Sequence, residues 1–452
     1  MKNNILLINS GINENTIYKT YCAPLGLLYI AALLEQNGFN VEFIDINMEE
    51  NVSVTIQETI ERFKPSIVGI SSLTPSFQQA VAIAGQIKDS HPEIKIVIGG
   101  HHPTYFAERI LQEYPAIDIV IRKEGEYAFL SIAKGTKPEK VKGITFRKDG
   151  LVMETLDRDP IQNLDELPFP ARHLADKYEY QYDAHLSSNE KESQYRPANY
   201  TSVLTSRGCP FNCRYCANTT FNGNKIRFRS AENVIAELQH LLNEGYDKFF
   251  FVDDHFMANP ARTAEICDFL IEKRRHYKGI EWQCMARVDA ATDELFSKIA
   301  AAGCTRVLFG IENGSQKVLD FYNKRINQEK IRKAVELADK YKIKSVASLI
   351  IGAPIEDFED IKETANFLST LPIDLLEINR LMIFPGTPLW NSLYNQGKID
   401  IETCWQNMIT TTEIFDQHTH KQLKEWTDYI SRKVYHNPKY IFRRFKKAFS
   451  GS

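Results

Sequence analysis

Three cysteines, Cys209, Cys213 and Cys216, stand in the string Arg207-Gly208-Cys209-Pro210-Phe211-Asn212-Cys213-Arg214-Tyr215-Cys216, a C-x3-C-x2-C spacing. An odd number of thiols in so short a run leaves one without a disulfide partner, so the run is not a disulfide framework. Its chemistry is metal ligation. Soft thiolates select iron–sulfur clusters or zinc, but structural zinc takes four ligands and no nearby His or Cys completes the set. Three thiolates suit a cubane cluster with one iron left open, short of the four-cysteine norm. An open iron is a reactive iron.

The elements that must hold this loop follow a strand–helix alternation. Residues 199–205 read as a strand that delivers the cysteines at its carboxyl end, where catalytic groups of α/β barrels belong. Five further strands follow, at 248–252, 282–285, 306–309, 345–351 and 375–381. They end respectively in Asp253-Asp254, in Ala286-Arg287, in Gly310-Ile311-Glu312 with Ser315 just beyond, in Gly352, and in the run to Pro388. Six strands make a partial barrel rather than a closed eight.

The first third repeats the alternation on a different plan. Apolar runs at 5–9, 41–45, 67–71, 94–98 and 117–121 are separated by helical patterns at 24–37, 54–63, 77–90 and 105–114. This pitch reads as a doubly wound parallel sheet, whose ligands bind at the carboxyl ends of the strands. The residues there are small or polar: Ser71, Ser72 and Leu73 after the third run, Gly99, Gly100, His101 and Pro103 after the fourth, and Glu124, Gly125 and Glu126 after the fifth. Paired glycines admit a ligand close to the backbone. No G-x-G-x-x-G string or phosphate loop is present, which argues against nicotinamide and ATP. His101 and His102 read as pocket-lining residues rather than ligands, and Cys22 as a packed thiol.

With Tyr215 as its aromatic member, the C-x3-C-x-aromatic-C string resembles the signature of radical S-adenosylmethionine (SAM) enzymes. The resemblance implies a 4Fe–4S cluster on Cys209, Cys213 and Cys216, with SAM's amino and carboxylate groups chelating the open iron and a 5′-deoxyadenosyl radical as the reactive species. It further implies a carboxylate of Asp253 or Asp254 for SAM's ammonium, Arg287 for its carboxylate, Glu312 and Ser315 for ribose or methionyl contacts, and the edge at Gly352 for adenine. The first third resembles the cobalamin-binding domain attached to many such enzymes, on the strings Pro24-Leu25-Gly26-Leu27-Leu28-Tyr29, Gly99-Gly100-His101-His102-Pro103-Thr104 and Glu124-Gly125-Glu126. Residues 1–150 lack a D-x-H-x-x-G string, and the nearest match, Asp253-Asp254-His255, lies elsewhere with Ala258 where Gly belongs. Cobalamin is therefore expected without a histidine ligand to cobalt. Cys22 alone in the first third excludes the second cluster of methylthiotransferases.

The fold expected is α/β: a cobalamin-binding-like domain over 1–145, a linker over 146–197, a partial (β/α)6 radical SAM core over 198–388 and a small, mainly helical region over 389–452. The linker is rich in Pro, Ser and charge, and its Tyr178, Tyr180 and Tyr182 read as packing residues. The expected function is methylation of an unactivated carbon in a small-molecule or lipid-like substrate. Oxidative cyclisation or rearrangement is the alternative, and a non-catalytic cobalamin- or cluster-sensing module belongs to a different class. No residue is singled out as catalytic. A net charge of −3 over 452 residues argues against a nucleic-acid partner; the resemblance implies a flavodoxin- or ferredoxin-type reductase. Scattered cysteines and the lack of a leader or long apolar span point to the cytoplasm. Residues 439–449 are basic and aromatic, with Ile441, Phe445 and Phe449 on one helical face. That composition suits peripheral membrane contact through 439–452, or else a helix docked on the barrel.

Overall fold

The computed structural model describes residues 3–11, 22–180, 199–277, 279–406, 409–415 and 418–449. Two compact units result: Met1–Gln181 with Phe221–Gly223 and Asp400–Met408 forms one, and Tyr182–Thr220, Asn224–Ile399 and Ile409–Ser452 form the other. Tyr182 and the serine-rich stretch at 187–193 lie outside the described residues.

The first unit is built on β1 (Asn4–Asn9), β2 (Asn40–Asp45), β3 (Ile67–Ser71), β4 (Lys95–Gly99), β5 (Ile119–Ile121), β6 (Ile144–Lys148) and β7 (Leu151–Glu154), in the order β2-β1-β3-β4-β5-β6-β7. The first five strands pair in parallel. Their apolar runs are continuous because helices cover such a sheet; Ile5, Leu6, Leu7 and Ile8 are all buried. Strand order reverses beside β1, so the crevice at the carboxyl ends of β1 and β3 is where a ligand belongs.

The last two strands depart from the expected plan. β6 and β7 add antiparallel to β5, so the boundary expected at residue 145 falls inside a hairpin. Its turn is Asp149-Gly150, with φ of 50° and 79°. Two successive positive values suit the two-residue turn that Asp-Gly favours. The signal is local but weak, because β7 is an edge strand exposed along most of its length.

In the second unit, β8 (Tyr200–Val203) leads through β9 (Ser206–Arg207), β10 (Arg227–Phe228), β11 (Lys248–Phe251), β12 (Glu281–Ala286), β13 (Cys304–Glu312) and β14 (Lys344–Ile351) to β15 (Leu375–Arg380). Six of these form one all-parallel sheet in the order β15-β14-β13-β12-β11-β8, while β9 pairs antiparallel with β10. Phe249, Phe251, Phe256, Trp282, Phe296 and Phe309 are fully buried between this sheet and its helices. Trp282 closes the core by donating Nε1–H to the Ala302 carbonyl at 3.0 Å; truncating so large a side chain to Ala costs about 3–5 kcal/mol. Cys267, Cys284 and Cys304 lie in the same core as buried thiols. No helix among the described residues is long and apolar enough to cross a membrane.

Candidate functional site

The cysteine loop follows β9, turns on Gly208 with φ of 92°, and is tied down by hydrogen bonds to its backbone. Arg214 N–H donates to the Tyr322 carbonyl at 3.0 Å, Leu389 N–H donates to the Arg214 carbonyl at 2.9 Å, and the Asn323 amide donates to the Asn212 carbonyl at 2.7 Å. All three thiols are free; Cys213 is buried, while Cys209 and Cys216 are half-buried. Burial pushes the Cys209 thiol up and that of Cys216 to about 11. Thiolate ligands here therefore need positive charge close by, which iron supplies. No three such side chains among the described residues converge on a single-ion site; a cubane several atoms across takes its ligands further apart. The donor set fits a cluster.

The two aspartates after β11 part company. Asp253 is fully buried. Its carboxylate accepts from Thr205 N–H at 3.1 Å, Thr205 Oγ1 at 2.8 Å and Ser206 Oγ. It anchors the segment that enters the cysteine loop. Asp254 keeps its surface open, yet it sits deep enough beside Asp253 that its carboxyl is pushed up to about 7. Desolvation is the larger cause and the neighbouring Asp253 charge the second, with the Asn218 side chain pulling the other way.

Arg287, after β12, is buried with its guanidinium stacked 3.5 Å from the Phe211 ring centroid. Its fork is engaged by Asp289, at 3.1 Å from Nε and 2.8 Å from Nη2, and Nη2 also donates to the Lys324 carbonyl at 3.0 Å. At the end of β13, Glu312 adopts a φ of 64° at a register shift against β14. Its Oε1 accepts from Tyr215 Oη at 2.8 Å and from Lys324 Nζ at 2.6 Å. A Cβ on Gly310 would stand 2.6 Å from that oxygen, so glycine makes room for the pair. No motif points to Lys324, which returns to the strand end between two left-handed residues, Asn323 and Arg325.

Ser315 is buried, and its hydroxyl donates to Asp360 Oδ1 at 2.7 Å, so that proton is already engaged within the protein. At β14 the left-handed Gly352 (φ 92°) is held by Glu356, whose Oε2 accepts from Gly352 N–H at 2.6 Å and Ala353 N–H at 3.1 Å. Asn313 donates to the other oxygen at 2.7 Å. A separate cavity, lined among others by Ile355, Phe358, His418, Trp426 and Tyr429, includes none of the residues singled out in the sequence.

In the first unit the ends of β3 and β4 meet closely. Ser72 N–H donates to the Gly99 carbonyl at 2.8 Å, and a Cβ on Gly100 (φ 113°) would stand 2.4 Å from the Ser72 carbonyl oxygen. Leu73 is 49% exposed at the rim. Residues His101–Tyr105 wind into a short helix, burying Pro103. His102 is fully buried, its ring 4.2 Å from that of Phe77 and its Nδ1 3.3 Å from Thr74 Oγ1. Burial holds His101 down to about 4 and His102 to about 3, so both are neutral. Glu124 accepts from Ile161 N–H at 2.7 Å and so ties the following segment to the sheet; Gly125 lies against Ile30, and Glu126 is buried at the start of its helix. Tyr178 and Tyr180 pack as expected, donating to Glu49 at 2.6 Å and Asp45 at 2.9 Å.

Two family models match the chain: the B12 binding domain over residues 16–133 and the radical SAM superfamily over 203–368. An uncharacterized methyltransferase of Pyrococcus horikoshii is 32% identical over 372 residues, covering 81% of this chain and 77% of its own. The chain belongs to the cobalamin-dependent radical SAM family. The anaerobic magnesium-protoporphyrin IX monomethyl ester cyclase of Rubrivivax gelatinosus is 28% identical over 75% of this chain and 61% of its own length. The fold matches the radical SAM methyltransferase TsrM of Kitasatospora setae, solved with cobalamin and a 4Fe–4S cluster, with a TM-score of 0.71 at 18% identity over 88% of this chain and 75% of that one. The family's cofactors are the 4Fe–4S cluster, SAM and cobalamin. The three free thiols suit the first, and the glycine-lined strand ends of the first unit suit a large ligand approaching the backbone.

Proposed function

We propose that this enzyme methylates an unactivated carbon of a small-molecule or lipid-like substrate. The observation that carries the reading is the pairing, in one chain, of the three-thiol loop at the mouth of a parallel six-stranded sheet with a B12-type sheet whose strand ends are lined by Ser72 and Gly100. When bound, the cluster and SAM supply a carbon radical by hydrogen abstraction and cobalamin supplies the methyl group; the protein positions them and excludes water and oxygen.

Within this reading Cys209, Cys213 and Cys216 hold the cluster. Asp254 takes SAM's ammonium, because Asp253 is spent on Thr205 and Ser206. A charge-assisted bond of that kind is among the stronger ones available. Lys324 joins Arg287 as a cation for SAM's carboxylate, since the Arg287 fork already holds Asp289. Glu312 orients Tyr215 and Lys324, and the Gly352 edge receives adenine. Ser71, Ser72, Leu73, Gly99, Gly100, His101, Pro103 and the 124–126 turn line the cobalamin pocket, with no histidine on cobalt. The full burial of His102, packed on Phe77 with Nδ1 beside Thr74 Oγ1, supports that last point. The core spans 198–388, and a flavodoxin- or ferredoxin-type protein supplies its electrons.

Oxidative ring formation is a second reading, favoured by the likeness to the Rubrivivax gelatinosus cyclase. Anaerobic reconstitution with SAM, hydroxocobalamin and a low-potential reductant separates the two. Methyl transfer yields S-adenosylhomocysteine together with 5′-deoxyadenosine; 5′-deoxyadenosine alone favours cyclisation. Neither product, with the cluster in place, overturns both.

A further inference from the structure

The C-terminal helix, Pro438–Phe449, is held to the second unit through Tyr440 and Arg443. Tyr440 Oη donates to the Asp374 carbonyl at 2.9 Å, and the Arg443 guanidinium donates to the Ile373 carbonyl with Asp374 Oδ1 3.8 Å away. Just before the helix, the Asn437 amide donates to the Ser369 carbonyl at 2.9 Å, and the Tyr435 and Tyr440 rings meet edge to face at 5.1 Å. These contacts fix the rotation of the helix about its axis.

At about 100° per residue, Ile441, Phe445 and Phe442 fall within about 100° of arc, and Tyr440 and Arg443 lie diametrically across from them. The docking contacts therefore turn the apolar residues outward. Ile441 is 41% exposed, Phe445 60% and Phe442 73%, in a set of residues that ordinarily pack inside. Lys439 and Lys446 follow on one flank of this arc and Arg444 on the other. Charge is segregated as well: after Asp428 the chain has seven Lys and Arg and no acidic residue, although its net charge overall is −3.

We propose that this helix face docks on an anionic lipid surface, with Ile441, Phe442 and Phe445 entering the acyl boundary and Lys439 and Lys446 meeting headgroup phosphates. Apolar burial and electrostatic attraction together are what an interfacial helix requires. A protein partner would need acidic groups framing an apolar cleft; a phosphatidylglycerol-type surface presents both components at once. The inference stands independently of the reaction proposed above, since it rests on no cofactor residue.

The test is co-sedimentation of the full-length protein with phosphatidylcholine vesicles, with or without phosphatidylglycerol. Binding is expected only with phosphatidylglycerol and is expected to fall at high salt. Phe442→Ala/Phe445→Ala, at exposed positions that leave the fold intact, is expected to weaken binding at least tenfold, with cluster absorbance and melting temperature unchanged. Lys439→Gln/Lys446→Gln is expected to weaken it about fivefold per charge. Absence of binding to anionic vesicles overturns the proposal, as does equal binding by the Phe442→Ala/Phe445→Ala variant. Lipid-free self-association that this variant abolishes would assign the face to a second copy of the chain and overturn it too.

Discussion

Replacing Lys324 with Met probes the geometry around Tyr215 directly. Lys324 and Glu312 pair at 2.6 Å with side chains that are each 7% exposed. Removing one member of so buried a pair leaves an uncompensated charge and costs about 3–5 kcal/mol. For a unit of this size each kcal/mol moves the midpoint by about 2–4 °C, so a drop on the order of 10 °C is expected. Tryptophan fluorescence reads the relevant transition, because Trp282, Trp390 and Trp426 of the four tryptophans lie in the second unit. The control is Glu312→Gln/Lys324→Met. It removes both charges while the new amide oxygen still accepts from Tyr215 Oη, so most of the lost stability should return, whereas SAM affinity, followed by equilibrium dialysis, should stay low. A single variant that costs less than about 1 kcal/mol would refute the buried-pair reasoning, which rests on uncompensated charge. A double variant as unstable as the single one would refute it equally.

Other outcomes follow from the strand ends. Gly100→Ala places a Cβ 2.4 Å from the Ser72 carbonyl oxygen at a φ of 113°, a conformation costing about 1–3 kcal/mol for a non-glycine residue. Retention of corrinoid after gel filtration should fall at least tenfold while cluster absorbance in the second unit persists; retention at the unsubstituted level would contradict the placement. Glu356 is raised from 4.5 to about 7 by burial, against hydrogen bonds from Asn313, Gly352 and Ala353. The folded state therefore holds a proton that the unfolded state has already released, and this contribution to stability is complete below 4.5 and declines as pH rises to about 7. Glu356→Gln removes the titration, so the difference in melting temperature between unsubstituted enzyme and variant should change between those limits and level off above pH 7. A flat difference across that window would show that Glu356 does not titrate there.

The sequence carries some parts of the site and hides others for identifiable reasons. The cysteine loop and the strands that frame it are local patterns: thiol spacing, and apolar runs long enough for parallel strands buried on both faces. What stays hidden is how neighbouring side chains spend their donors. Asp253 and Asp254 are equivalent in sequence, and only the approach of Thr205 and Ser206 commits the first and leaves the second open. Ser315 has the position of a ligand contact, but Asp360, forty-five positions later, claims its hydroxyl. Lys324 reaches Glu312 across a turn whose two left-handed residues are not glycines, so nothing in composition marks it.

The strain at Glu312 ties these observations together. A glutamate in the left-handed region is uncommon and costs free energy, so the surrounding contacts must hold it there. They are the register shift against β14, the Gly310 position that has no room for a Cβ, and the bonds from Tyr215 and Lys324. Relaxing Glu312 to an ordinary strand conformation would carry its carboxylate away from Tyr215, the residue immediately before Cys216. The bulge thus couples the end of β13 to the thiol loop, while Phe211 under Arg287 and Thr205 with Ser206 on Asp253 couple β12 and β11 to the same loop. Three strand ends brace one loop through one side chain each. That arrangement preorganises three thiols on chain segments that would otherwise be free to move, and it leaves Asp254 at the end of β11 as the carboxylate still open to a bound ligand.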